Sequence, residues 1–513
     1  MKRFHMQAGN PAWRLACAAA VGAALLAGCA DTGGIHASAQ LRDAASLGLT
    51  ADATSAGEPQ ASALAPAADW WRTFGDPQLN QLVGQALADN PSLRAAAARV
   101  VKAQSGITVA RADNWPQLNG ELDAQRMRFP GNYIFPPPYG ENDFSFGTLQ
   151  LNGNWELDFF GKHAGAIAAA VGQARAAEAE QDAARVLLAA NVVRAYVQWA
   201  RIEDLRAVAQ RTLKQRQQML QLVRDRKQAG LDTQMEVRQN QSGQADSSAQ
   251  ITALEQRADE ARHALAALIG QPRLPEGIAA PHLTNFKTLA LPSTLSADWL
   301  GRRADIVAAR WRVEAAQGQV QVAKSAFYPN VNLAAAFGFQ SLGLGKLLQA
   351  SSLEWNVGPA ISLPIFEAGK LRANLRGQTA DLDAAIETYN ATVIDAMRDV
   401  ADQAQAIKSL VTQRAQQAQA LSAAEGAYAI ARQRYGVGLG TYLNVLFAES
   451  AVLTQRRQIV DLQAQALTAQ ASLAQALGGG WQPSPELVPP GAGSDKAVAQ
   501  NGGHNDHDAA ARN

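Results

Sequence analysis

Between Thr148 and Lys162 the chain changes period. Leu149, Leu151, Gly153, Trp155 and Leu157 alternate with Gln150, Asn152, Asn154 and Glu156, the spacing of a strand with one apolar and one polar side. Past Gly161 the alternation stops, and an alanine-rich, proline-free run continues to about Arg226. A strand of membrane-spanning length therefore opens directly into a very long helix. The join recurs where Trp355 to Ile365 alternates and Phe366-Glu367-Ala368-Gly369 opens a second long helical run.

The recurrence is an internal duplication. Arg99-Val100, Ala103-Gln104, Ala110 and Pro116 match Arg312-Val313, Ala316-Gln317, Ala323 and Pro329 at a shift of 213, and Arg226, Gly230-Leu231, Thr233 and Val237 match Arg434, Gly438-Leu439, Thr441 and Val445 at a shift of 208. Each half reads helix, strand, strand, long helix, turn, helix. Residues 69–270 form the first repeat, with a β-hairpin at 117–157 and a turn at 229–233. A Pro-containing connector spans 271–294. Residues 295–481 form the second repeat, with a hairpin at 331–365 and a turn at 436–441. Asp76 and Pro77 are placed to start a helix, which the pattern predicts to run to about Asp113. A Pro-, Gly-, Asp- and Asn-rich tail, 482–513, reads as disordered.

The N-terminus is a targeting segment. Lys2, Arg3 and Arg14 precede an apolar run from Leu15 to Leu26, short for a spanning helix and suited to a signal peptide, residues 1–28. It ends Leu26-Ala27-Gly28-Cys29, which resembles the bacterial lipobox and makes Cys29 the lipidated first residue of the mature chain. Ala30 follows, where an aspartate would favour inner-membrane retention, so outer-membrane delivery is expected. Residues 29–68, rich in Ala, Ser, Gly and Thr, read as a lipidated tether. Cys17 leaves with the signal, so no disulfide or thiolate metal site is expected.

With 46 basic and 45 acidic residues the chain carries no nucleic-acid or polybasic membrane signal. No Gly-rich phosphate loop follows a strand and no nucleophile–base–acid set is evident, so an enzyme is not expected. Apart from lipid on Cys29 no cofactor is called for. His504 and His507, in the polar tail, read as incidental rather than metal-binding. Glu156 and Asp158, two apart on a strand, read as pore-lining carboxylates rather than a general acid–base pair.

Geometry then demands assembly. Four strands cannot close a barrel, and an open sheet edge cannot sit in lipid. The smallest closed bacterial barrels have about eight strands, so at least two protomers must share one. The helical run from Ala164 to Lys227 would extend roughly 96 Å at 1.5 Å per residue. A hollow cylinder of helices continuing a β-barrel satisfies both facts. An ordinary antiparallel bundle would leave the strands unexplained.

Several motifs together resemble one family: Trp70-Trp71 with Phe74-Gly75-Asp76-Pro77 and Leu79; Ala86-Leu87 with Asn90-Pro91 and Leu93; Trp155 to Gly161; Pro364-Ile365-Phe366 with Gly369; and Ala476 to Trp481. They are similar to the outer membrane factors, TolC/OprM-like exit ducts, and the lipobox points to the NodT branch that serves RND-type efflux. The resemblance implies an α+β membrane protein with two helix–strand–strand–helix–helix repeats per protomer. It implies a homotrimer with a 12-stranded β-barrel continued by a periplasmic α-helical barrel. It also implies a periplasmic membrane-fusion adaptor, an inner-membrane RND-type pump, and small-molecule cargo such as drugs, dyes, metals or aromatics. Gly230, Leu231, Asp232 and Thr233, with Gly438, Leu439, Gly440 and Thr441, look like the family's adaptor-contacting tips. The same glycines also suit plain tight turns. Leu443 matches the family's periplasmic gate, but Phe447 stands where an acidic residue is often found, which suggests an apolar iris. The alternatives are a duct for ABC-driven type I protein secretion and a pore-less structural lipoprotein spacer.

Overall fold

The computed structural model describes residues 32–42, 67–132, 134, 138, 140–287 and 301–489. The signal segment, Cys29, residues 288–300 of the connector and second repeat, and the tail with His504 and His507 lie outside them. Among the described residues there are seven α-helices and four strands. The helices are α1 (Pro77–Asp89), α2 (Pro91–Ala112), α3 (Lys162–Gln228), α4 (Gln234–Leu268), α5 (Ala304–Ser325), α6 (Lys370–Gly436) and α7 (Tyr442–Ala476), and the strands are β1 (Gln117–Arg128), β2 (Asp143–Leu157), β3 (Asn330–Leu342) and β4 (Leu353–Ser362). The paired helices match in length: α2 and α5 have 22 residues each, α3 and α6 have 67, α4 and α7 have 35.

Three element boundaries are corrected. The helix read from Pro77 to about Asp113 is two helices, because Asn90 takes an extended conformation (ψ 125°) before Pro91. Proline bars its predecessor from the helical region, and the Asn90 side chain then accepts from the Ser92 N–H at 2.7 Å to start α2. The second hairpin stops at Ser362 rather than 365, because Ser362 pairs with Asn330, the first residue of β3, and no partner strand continues beyond it. The described start of the tail is ordered: a 3₁₀ turn at Pro485–Leu487 buries Leu487.

The chain divides into two compact units. The first contains the described parts of 1–41, 100–177 and 309–389. Its sheet runs β1-β2-β3-β4, antiparallel throughout. The register sets Leu122 beside Leu149, Leu151 beside Phe337, and Phe337 beside Trp355. One face therefore gathers Leu118, Leu122, Leu149, Leu151, Trp155, Leu333, Phe337, Trp355, Val357 and Ile361. The other gathers Asn119, Glu121, Asp123, Gln150, Asn152, Glu156, Asn332 and Asn356. The apolar face lies bare in the protomer: Leu118, Leu122, Trp355 and Ile361 are each about 70% exposed. β1 and β4 each keep one unpaired edge.

Beside the sheet, α3 and α5 approach closely through small residues. A Cβ on Gly172 would lie 2.7 Å from the Ala315 nitrogen, and one on Gly318 would lie 2.6 Å from the Ala169 nitrogen, so glycine alone permits this spacing. Val313, Val320, Phe327, Leu375, Leu382 and Ile386 fill the core of the unit. Residues 32–41 belong to it as an extended strap rather than a free tether. Ile35, Ala37 and Ala39 pack on that core at alternate positions, while the Asp383 carboxylate accepts from the Ser38 and Ala39 N–H groups, both at 2.8 Å.

The second unit contains the described parts of 42–99, 178–308 and 390–513. Asp76 caps α1 through the Gln78 and Leu79 N–H groups (2.8 and 3.0 Å) and accepts from the Tyr196 hydroxyl at 3.1 Å. Around this cap sit Trp70, Phe74, Phe286 and Trp199 in edge-to-face contacts. Leu79, Leu82 and Leu265 are fully buried there, each worth roughly 1.5–3 kcal/mol of burial.

Candidate functional site

The two interhelical turns of the second unit are built alike. After α3 the Gly230 N–H bonds to the Lys227 carbonyl and the Leu231 N–H to that of Arg226. After α6 the Gly438 N–H bonds to the Tyr435 carbonyl and the Leu439 N–H to that of Arg434. Gly230 and Gly438 stand at φ 77° and 81°, the left-handed position that ends a helix in this paired pattern. In such a motif the next residue usually folds back on the helix. Here Leu231 and Leu439 stay 63% and 70% exposed, leaving an apolar tip on each turn.

The flanking residues divide by role. Thr233 starts α4 with a reciprocal cap: its hydroxyl accepts from the Met235 N–H, and its own N–H donates to Glu236 at 2.8 Å. Those Thr233 donors hold the Glu236 carboxyl below its usual range. Thr441 starts α7 without a side-chain cap. Asp232 turns inward, its carboxylate accepting from Arg226 Nε at 3.0 Å and from the Tyr435 hydroxyl. Arg226 Nη1 donates to the Tyr435 carbonyl at 2.8 Å, and the guanidinium lies over the Tyr435 ring. The repeat departs from symmetry here, because Gly440 stands in the place of Asp232.

Arg226 and Tyr435 escaped the sequence reading as functional residues, since nothing local links positions 209 apart. Burial, followed by the Asp232 carboxylate, pushes the Tyr435 phenol well above its ordinary value, so it remains a donor.

Leu443 and Phe447 lie one turn apart on α7 and are 55% and 68% exposed. The opposite side of that helix is buried. Tyr442 accepts from Asn240 Nδ2 at 2.9 Å, and Val445 packs with Val223 and Val237. One turn further, Glu449 is buried and meets Arg216 Nε at 3.2 Å, while Arg216 also donates to Ser247 and to the Gly243 carbonyl. Burial pushes the Glu449 carboxyl up.

In the first unit the two carboxylates read as a pore-lining pair part company. Glu156 is on β2, held by Lys162 Nζ at 2.8 Å and Asn330 at 2.9 Å. Asp158 lies beyond the strand and accepts from the Lys162 and Ala164 N–H groups. It caps α3 instead of lining a wall. Among the described residues no group of His, Cys, Asp and Glu is arranged to hold a metal, and no helix is long and apolar enough to cross a membrane.

Residues 82–271 and 295–479 match the family model described as outer membrane efflux protein. The chain is 42% identical over 323 residues to the fusaric acid resistance protein FusA of Burkholderia cepacia, an alignment covering 61% of this chain and 60% of that protein. It is 33% identical over 425 residues to the pyoverdine export outer membrane protein OpmQ of Pseudomonas aeruginosa, covering 80% and 87%. Among solved structures, the outer membrane protein VceC of Vibrio cholerae superposes with a TM-score of 0.75 at 35% identity, over 81% of this chain and all of that one. This chain belongs to the outer membrane efflux protein family.

Proposed function

We propose that three copies of this chain share one twelve-stranded barrel in the outer membrane, continued by a periplasmic helical barrel, and form a passive exit duct for small molecules. The two-sided sheet carries this reading. Its apolar face is bare, its other face is polar, and both of its edges are open. In hydrocarbon an open edge leaves unsatisfied N–H and C=O groups, so β1 of one copy must meet β4 of the next. From the Leu157 row to the Gly147 row the apolar face spans ten steps of about 3.4 Å. At a tilt of about 40° that gives roughly 26 Å, the height of an outer-membrane apolar band. The polar face would then line the water-filled duct.

The names of FusA and OpmQ, fusaric acid resistance and pyoverdine export, support a small-molecule cargo. The exposed Leu231 and Leu439 suit contact with a periplasmic membrane-fusion adaptor, and through it an RND-type inner-membrane pump. Leu443 and Phe447, exposed within their own protomer, suit an apolar iris around a three-fold axis, closing by packing and dewetting. The duct itself performs no catalysis. Lipid on Cys29 fits the strap: the four residue steps to Gly33 span at most about 14 Å, and Gly33 lies against the Arg372 guanidinium in the first turn of α6. The acyl chains would therefore enter the membrane close to the strand–helix joint.

Two measurements test this. Protein purified from the outer membrane should run as a trimer and give channels in planar bilayers; absence of channels would favour a pore-less spacer. A photoreactive residue at Leu439 should cross-link to an RND-type adaptor in cells. An adduct with an ABC-system adaptor would keep the duct and change its cargo to protein.

A further inference from the structure

The apolar face of the sheet ends at a cationic rim on the side of the β1–β2 and β3–β4 loops. From the Leu118 row to the Ala124 row the face carries no ionisable side chain. At the loop end Arg126 and Arg128 then follow on the same face, two residues apart on β1. Arg126 reaches Asp143 at 3.5 Å, with 76% of its side chain exposed. Arg128 is exposed and stands opposite Asp143 in the register, but it is Arg126 that meets that carboxylate. The undescribed loop positions 133, 135–137 and 139 add no carboxylate, being Tyr133, Phe135, Pro136, Pro137 and Tyr139.

The β3–β4 loop brings a third cation to this edge. The Gly343 N–H donates to the Ser145 carbonyl, and Ser145 stands opposite Arg126. A 3₁₀ turn, Leu344–Lys346, follows. Its Leu344 and Leu347 lie over Gly147, whose missing Cβ would come within 2.8 Å of Leu344. The turn therefore rests on the apolar face, with Lys346 exposed, and Leu348 beyond it is 72% exposed. Of the two nearby carboxylates, Asp143 is the one Arg126 meets, and Glu141 lies over Gly131 within its own loop.

We propose that this rim binds a phosphorylated, acylated glycolipid of the outer leaflet, its phosphates on Arg126, Arg128 and Lys346 and its acyl chains along the apolar face. The inference rests on the sheet being the membrane wall. Guanidinium forks match phosphate geometry, and cations at headgroup depth attract anionic lipid. A soluble anion would not need the bare leucines beside them. An uncharged lipid would leave Lys346, and one of the two arginines that share Asp143, without a counter-charge.

The test is native mass spectrometry of the detergent-purified full assembly titrated with lipid A, its dephosphorylated form, or phosphatidylglycerol. Wild type should bind bisphosphorylated lipid A about tenfold more tightly than either other lipid. Arg126→Gln/Arg128→Gln/Lys346→Gln should lose that preference, while Arg126→Lys/Arg128→Lys, which keeps the charge but not the forks, should keep only part of it. Equal binding of the three lipids by wild type, or an unchanged preference in the triple glutamine variant, overturns the proposal. Planar-bilayer conductance of the same preparations in glycolipid-free membranes separates the two readings. Channels with no lipid preference sink the rim alone, whereas no channels from wild type sinks the duct.

Discussion

The guanidinium of Arg226 sits 4.4 Å from the ring centroid of Tyr435 and donates to that residue's carbonyl at 2.8 Å. One side chain from the end of α3 thus ties down the end of α6 in three ways, the third being their shared partner Asp232. With Arg226 and Asp232 side chains only 10% and 8% exposed, removing one leaves the other buried without its counter-charge. Asp232→Ala should destabilise the assembly by about 3 kcal/mol. Tyr435→Phe, which loses a single hydroxyl, should cost about 1 kcal/mol. Denaturant midpoints of the purified protein would read both. Equal losses would show that the hydroxyl, not the ion pair, holds the turn.

Glu449 gives a pH dependence of opposite sign to an ordinary ion-paired acid. Burial raises its folded-state value, with Arg216 opposing and Tyr428 and Tyr442 also close. The folded protein therefore takes up the proton at a higher pH than the unfolded chain does. Its contribution to stability improves as pH falls from the raised value toward the ordinary 4.5. As pH falls toward 4.5, Glu449→Gln should remove a pH-linked gain that wild type shows. An identical pH profile in both proteins would exclude Glu449 as its source.

Asp383 should hold the N-terminal strap. Backbone donors, first that of Ala39, keep its carboxyl below the ordinary 3.8. That stabilisation is complete above the ordinary value and is lost only as pH drops through the lowered one. Asp383→Ala should speed hydrogen exchange at Ser38 and Ala39 by about tenfold at neutral pH, leaving the sheet amides unchanged. Unaltered exchange would mean that the packing of Ile35, Ala37 and Ala39 suffices.

Phe447→Ala should raise basal leak, read as vancomycin entry in cells and as resting conductance in bilayers. Because Phe447 is 68% exposed, its truncation should cost the protomer no more than about 0.5 kcal/mol. A leak would therefore report on the mouth rather than on misfolding. Unchanged conductance and unchanged entry would remove Phe447 from the gate.

What the sequence made legible was whatever repeats locally. The two-residue alternation of Leu149, Leu151 and Trp155 gave the sheet faces, and Gly230 and Gly438 gave the turns. The matched shifts of 213 and 208 revealed the duplication itself. Elements governed by competing local signals were harder. Asn90-Pro91 was visible, yet the helical period running through it suggested one helix. Asp158 kept the strand parity but serves the following helix as its cap. Contacts between distant positions left no local trace. Neither Arg226 with Tyr435 nor Asp383 with Ser38 could be paired by spacing, and the strap was hidden in the composition of a linker. Only the faint alternation of Ile35, Ala37 and Ala39 hinted that it docks.

The equal helix lengths restrict how such a chain can drift. Deleting one residue from α3 turns every later side chain by about 100°. Met219, Leu220 and Val223 would then rotate away from Val237 and Tyr435. Loss of seven residues nearly restores the bearing, to within about 20°, but leaves α3 short of α6. Within these helices indels are therefore tolerable only in near-whole heptads and in both halves together, so that α3 and α6 should change length in paired steps while the strands and loops vary freely, as the 15 residues of β2 against the 10 of β4 show.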